Sequence, residues 1–167
     1  MGFLKFMKKE QSASTITFPA ALGAPTDGIF VAMQQIPDEV FSTGVLGTCC
    51  GIEPTEGKVY APIDGKIVQV TDTLHAIGME ACGIEILIHV GVDTVDMNGD
   101  GFCNMVKPDQ TVKKGDLLLT MDLDKIRKAG HAATVIMAVT NSGDFTAVEE
   151  TASGTVGLGN DVLRVSK

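Results

Sequence analysis

The chain has 167 residues, enough for one domain with its own core and no need of metal or disulfide support. Its net charge of −8 argues against nucleic acid as a partner class, because phosphate backbones demand a basic footprint. Nineteen glycines, six prolines and no tryptophan point to short strands and tight turns and away from a helical bundle.

Four cysteines stand at 49, 50, 82 and 103 without a C-x-x-C pair. That spacing fits neither a zinc finger nor a disulfide framework, so the thiols read as reduced and mostly as packing groups. No apolar run reaches the roughly 20 residues that a membrane span needs. A compact, acidic, cytoplasmic protein is the expectation.

Residues 1–9 (MGFLKFMKK), wound as a helix, gather Phe3, Leu4, Phe6 and Met7 on one arc and Lys5, Lys8 and Lys9 on the other. This segment reads either as a short amphipathic helix in weak contact with an anionic membrane surface or as a solubilising tail, since two turns are marginal in isolation. Phe6 at the sixth position gives no support to myristoylation. Residues 11–15 (QSAST) read as a linker. The expected division is therefore a flexible tail over 1–15 and one domain over 16–167.

From Ile16 onward the pattern is β. APTDGIFV at 24–31 recurs as APIDGKIV at 61–68, after 37 residues, each copy supplying a Pro-x-Asp-Gly turn that leads into a strand. A repeated turn–strand unit predicts an all-β fold, a pseudo-symmetric antiparallel β-sandwich of two related motifs with at most short helices. Between the copies, residues 36–47 (IPDEVFSTGVLG) read as a loop that exposes Val40 and Phe41.

Residues 73–80 (TLHAIGME) and 84–93 (IEILIHVGVD) form the central hairpin. In the second strand Ile84, Ile86, Ile88, Val90 and Val92 alternate with Glu85, Leu87, His89, Gly91 and Asp93, a period-2 strand with one core face and His89 on the other. A three-residue loop, Ala81-Cys82-Gly83, centred on Cys82 would set His75 opposite His89, Thr73 opposite Gly91 and Ile77 opposite Leu87. Two of the three histidines then meet on an exposed sheet face. Neighbouring imidazoles disfavour each other's charge, so at least one stays neutral near pH 7, with a free ring nitrogen for nucleophilic attack.

Gly99-Asp100-Gly101 marks a turn before Phe102, and residues 112–118 (VKKGDLL) a Lys-Gly-Asp turn between two strands. The one convincing helix lies around 122–128 (DLDKIRK), acidic early and basic late as the helix dipole favours. Residues 134–140 and 161–165 complete the strands.

APIDG at 61–65, Thr73-x-His75, LIHVGVDTV at 87–95, GDGF at 99–102 and VKKGD at 112–116, in this order and spacing, resemble the glucose-family enzyme IIA of the bacterial phosphoenolpyruvate-dependent sugar phosphotransferase system. The resemblance runs from about Ile16 to the end of the chain. It implies an antiparallel β-sandwich with a duplicated (barrel-sandwich hybrid) motif and a phosphotransferase component that works in coupled sugar uptake. Such a component accepts phosphate from phospho-HPr and passes it to a cysteine of a sugar-specific enzyme IIB.

Carried over residue by residue, the resemblance makes His89 the phosphorylated nucleophile and His75 the histidine that stabilises the phosphate. Thr73 orients His75, Asp93 is the acidic residue near the site, and Gly91 belongs to the same motif. Val40, Phe41, Leu87 and Val95 would dock partners. No cofactor is implied, and no metal is required, although His75 and His89 could trap zinc adventitiously. Leu87, Val90 and Ile77 stand where relatives often carry Phe, which alters the apolar rim and leaves the chemistry in place. Regulatory targets fit the same family without being named by the sequence, and the sugar is set elsewhere.

Two readings from other classes compete. A zinc hydrolase is suggested by His89-x-x-x-Asp93, but four residues along a strand separate side chains by about 13 Å, and only His131 remains as a further histidine. A lipoyl- or biotinyl-type carrier is suggested by the Lys-Gly-Asp turn, yet the expected hairpin tips carry Asp-Gly and Ala-Cys-Gly instead of a lone lysine.

Overall fold

A computed structural model describes residues 16–167; residues 1–15, with the expected amphipathic segment and linker, lie outside the described residues. In chain order the strands are β1 (Ala20–Gly23), β2 (Gly28–Val31), β3 (Thr48–Pro54), β4 (Lys58–Tyr60), β5 (Gly65–Val70), β6 (Ala76–Ala81) and β7 (Ile84–Val90). They continue as β8 (Phe102–Asn104), β9 (Thr111–Val112), β10 (Leu117–Met121), β11 (Val135–Val139), β12 (Ala147–Glu150), β13 (Thr155–Val156) and β14 (Asp161–Ser166). Two short helices accompany them, α1 (Glu39–Ser42) and α2 (Leu123–Lys128). The helix expected near 122–128 is α2, with the Asp122 carboxylate accepting from Lys125 N–H as its N-cap.

The largest sheet runs β13-β2-β3-β11-β7-β6-β5-β9, flanked by the three-stranded sheets β1-β14-β12 and β4-β10-β8. All pairings are antiparallel. The core fills the space against the inner face of the large sheet: Ile84, Ile86, Ile88 and Val90 of β7 are all buried there, with Ile77, Met79 and Ala81 of β6 beside them. The alternation read from β7 thus sets its two faces as expected.

The duplication goes further than the repeated octapeptide. Gly23 N–H donates to Pro62 O at 2.9 Å, and Tyr60 N–H, 37 residues on, donates to Pro25 O at 2.7 Å, so each copy's turn is closed by the other. The Asp64 carboxylate accepts from Lys114 N–H at 2.7 Å, and the Asp27 carboxylate from Leu158 N–H at 2.9 Å. Gly65 pairs with Val112 as Gly28 pairs with Val156. A second repeated pair, residues 112–116 and 156–160, is therefore part of the symmetry. Its side chains share too little beyond Val and Gly to announce it in sequence.

The hairpin register differs from expectation. The β6–β7 turn has two residues, Cys82 at φ 47° and Gly83 at φ 86°, both left-handed as a type I′ connection requires. Ala76 therefore faces His89, Ile77 faces Ile88, and Gly78 faces Leu87. The core enforces this choice, because a one-residue slip would turn Ile77 and Met79 of β6 away from the apolar face that β7 presents.

Candidate functional site

His89 lies near the end of β7, with Ala76 of β6 on one side and Ile136 of β11 on the other. Although not paired with it across the hairpin, His75 reaches it. β6 begins only at Ala76, and Leu74 turns at φ 63°, so His75 sits at the corner where the chain enters the sheet, its carbonyl accepting from Val90 N–H at 2.8 Å. The two rings are 4.8 Å apart between centroids, edge to face at 85°. Thr73 is likewise not opposite Gly91. It sits in the turn before β6, its hydroxyl 2.7 Å from His75 Nδ1.

After β7 the backbone reverses through Gly91 at φ 81°, and His89 Nδ1 donates to the Gly91 carbonyl at 3.0 Å. That bond assigns the proton to Nδ1 and leaves Nε2 as an unprotonated lone pair. Burial, reinforced by the neighbouring His75, pushes His89 down to about 4, against the opposing pull of the Gly91 carbonyl, Asp38 and Asp93. Burial lowers His75 as well. Both rings are neutral at pH 7, so the site presents a nucleophilic nitrogen beside a second imidazole.

The expected exposed pair Val40–Phe41 is divided. Residues 38–42 are not loop: Asp38 accepts from Val40 N–H at 2.9 Å and starts the single turn of α1. The turn points Val40 outward, 47% exposed, and Phe41 inward, 4% exposed. Phe41 packs with Ile36, Cys49, Ile136 and Ala138 on the outer face of the large sheet, its ring centroid 5.0 Å from that of His89. Phe41 is thus a wall of the histidine site and not a freely exposed docking residue. A period-2 or 3.6 pattern could not reveal a lone helical turn, though Asp38 followed by Glu39 is a capping signal.

Val95 is 47% exposed and Leu87 half-buried, two residues before His89 on the same strand face, and Val45 and Leu46 beyond α1 are exposed apolar residues that sequence reasoning missed. Asp93 is exposed, at φ 61°, at the head of a 3-10 turn over Thr94–Met97. Cys49 and Cys50 are buried, as packing groups should be, whereas Cys82 and Cys103 are exposed. Burial pushes the Cys49 thiol up to about 12, so it remains protonated against the Phe41 carbonyl.

Among the described residues no group of three or more His, Cys, Asp and Glu side chains is placed to hold a metal ion. No helix among them is long and apolar enough to cross a membrane. A groove of about 750 Å³ lies elsewhere, lined by Thr55, Phe102, Cys103, Met121 and Arg127 among others, and contains neither histidine. The expected exposed face is largely covered: His75 is buried and His89 half-buried on the outer face of the large sheet, beside Phe41.

The comparisons with known proteins bear on the family and the fold. A family model described as phosphoenolpyruvate-dependent sugar phosphotransferase system, EIIA 1, matches residues 20–145. The PTS system glucose-specific EIIA component of Bacillus anthracis is 40% identical over 145 residues, covering 86% of this chain and 88% of that protein. The PTS system beta-glucoside-specific EIIBCA component of Dickeya chrysanthemi is 42% identical over 136 residues, 81% of this chain but 22% of its own length. The chain therefore spans about a fifth of that relative. Among solved structures, the glucose permease IIA from Mycoplasma capricolum superposes with a TM-score of 0.78 at 36% identity, covering 86% of this chain and 94% of that one. The antiparallel sandwich, the duplicated turns and the sequence match lead to one conclusion: the chain belongs to the EIIA 1 family of the phosphoenolpyruvate-dependent sugar phosphotransferase system.

Proposed function

We propose that this chain is the phosphoryl carrier between HPr and the EIIB unit of a sugar permease, with Nε2 of His89 as the attachment point. The observation that supports this most is the His89 Nδ1–H bond to the Gly91 carbonyl, which leaves Nε2 unprotonated on a ring set edge to face with His75. In the first transfer the P–N bond of phospho-HPr breaks as the P–Nε2 bond forms in line, and the lone pair returns to the donor imidazole. In the second, a cysteine thiolate of EIIB displaces His89 from phosphorus. The fused EIIBCA architecture named for the Dickeya chrysanthemi relative supports EIIB as the acceptor.

His75 supports both steps. With the Thr73 hydroxyl donating to its Nδ1, its Nε2 carries the proton and donates to a phosphoryl oxygen. Val40, Val95 and the half-buried Leu87 exclude water at the docked interface, and Asp38, Glu39 and Asp93 favour partners with basic rims. A relay of this kind fits a cytoplasmic location and calls for no cofactor.

Incubation of the pure protein with phosphoenolpyruvate, enzyme I and HPr should yield an acid-labile, base-stable phosphate. His89→Ala should abolish it while the fold persists. Persistent labelling of that variant would move the acceptor to His75 or elsewhere.

A further inference from the structure

The carbonyl that fixes the His89 tautomer belongs to a turn with its own support. Thr94 is completely buried, one of only four buried polar residues in the described structure. Its hydroxyl donates to the carbonyl of Val90, the residue between His89 and Gly91. Its methyl occupies the space of the missing Gly91 side chain: a Cβ on Gly91 would lie 2.3 Å from Thr94 Cγ2. Apart from the His89 Nδ1 bond, the other contacts of the turn are backbone ones, Gly91 N–H on Thr134 O at 2.7 Å and Val92 N–H on Ala132 O at 3.0 Å. Thr94 therefore makes the side-chain hydrogen bond that ties the Val90–Gly91 reversal to the following 3-10 turn.

We infer that Thr94 is a positioning residue for phosphoryl acceptance, acting through the Gly91 carbonyl to keep the proton of His89 on Nδ1 and Nε2 free. The inference rests on His89 being the phosphoryl acceptor, but its first consequence is visible without any phosphate. When the hydroxyl is removed, the Val90 carbonyl loses its buried donor, and the peptide planes of the turn, pinned then only through Gly91 N–H and Val92 N–H, can rock about those bonds. The Gly91 oxygen then no longer meets Nδ1 in one geometry, and the neutral ring samples both tautomers. The Nδ1-protonated form is the reactive one. The Nε2-protonated form carries its lone pair on Nδ1, the nitrogen turned toward Gly91, and has none at Nε2.

The test is nitrogen-15 NMR of the His89 ring in the unphosphorylated protein at pH 7.5, together with the initial rate of labelling from phospho-HPr. Thr94→Val keeps the shape and loses the hydroxyl; Thr94→Ser keeps the hydroxyl and loses the methyl. Thr94→Val should mix the two ring-nitrogen signals and slow labelling about ten-fold, the scale set by one net hydrogen bond. Thr94→Ser should restore the wild-type tautomer and most of the rate. If Thr94→Val does not fold, Thr94→Ala read against Thr94→Ser gives the same contrast. An unchanged tautomer in a folded variant lacking the hydroxyl overturns the inference, whatever its labelling rate. A wild-type protein that shows the fixed tautomer but takes no phosphate sinks the carrier reading and leaves the positioning role standing.

Discussion

The imidazoles of His75 and His89 meet edge to face at 4.8 Å although their residues are not partners across the hairpin. The contact is made by a corner. His75 precedes the first paired residue of β6, so it escapes the strict alternation that puts Ala76 beside His89 and Ile77 in the core.

That contact has a pH signature. His89 is pushed to about 4 from an ordinary 6.5, and His75 is lowered too, so between those values the unfolded chain binds more protons than the folded one. The stabilisation is fully present above pH 6.5 and is lost as pH falls toward 4. For His89 it amounts to about 3 kcal/mol at most. Urea midpoints taken from pH 7 to pH 4 should fall steeply in the wild type and less steeply in His89→Gln. Parallel curves would show that the ring is not buried as neutral imidazole.

Val40 and Phe41 should behave oppositely. Val40→Asp changes an exposed position and should leave stability within about 0.5 kcal/mol while slowing transfer from HPr and to EIIB alike. Phe41→Ala removes a buried ring from a small cluster and should cost about 3 kcal/mol, with the His89 titration moving upward as water reaches it. Equal unfolding midpoints for the two variants would contradict the division of this turn into an outward and an inward residue.

The two histidines should separate by half-reaction. His75→Gln keeps a hydrogen-bond donor but cannot shuttle a proton, so it should still accept phosphate from HPr and pass it poorly to EIIB. Thr73→Val should leave His75 in place with its Nδ1 unpartnered by the hydroxyl, seen as a changed ring-nitrogen signal. Equal losses in both half-reactions of His75→Gln would refute the separation.

Gly91→Ala should be among the most damaging small changes in the molecule. The position is left-handed at φ 81°, and the added Cβ would lie 2.3 Å from Thr94 Cγ2 and 3.0 Å from the Ala132 carbonyl. A cost of about 2 kcal/mol or more is expected, together with loss of the His89 Nδ1 bond. A variant of wild-type stability would mean that the turn relaxes at little cost.

Much of this was legible in the residues. The alternation from Ile84 to Val90 assigned the core face and turned His89 outward, and Pro-x-Asp-Gly announced both repeated turns. The register was not legible, because a two-residue and a three-residue loop around Cys82-Gly83 differ only in backbone angles. Phe41 was misplaced because one turn of helix carries no period to read. Thr94 falls inside the motif at 87–95, but its role was not legible: a threonine after an aspartate reads as loop until its hydroxyl is seen on the Val90 carbonyl.

The order of strands in the large sheet is a palindrome about the β7–β11 pair. His89 pairs with Ile136 and is flanked by Ala76; its counterpart on β11 is Ala138, which pairs with Leu87 and is flanked by Cys49. The scaffold therefore offers two equivalent stations, and one of them carries an imidazole. The difference lies in the connections that cross the outer face. The long excursion between β2 and β3 lays Ile36 and Phe41 over Ala138 and Cys49, sealing that station as core, while the short turn between β5 and β6 delivers His75 and leaves His89 half-buried. An imidazole at 138 would be entombed beyond the reach of any donor. Unequal loop lengths on a symmetric frame thus make one station packing and leave the other holding a pair of imidazoles.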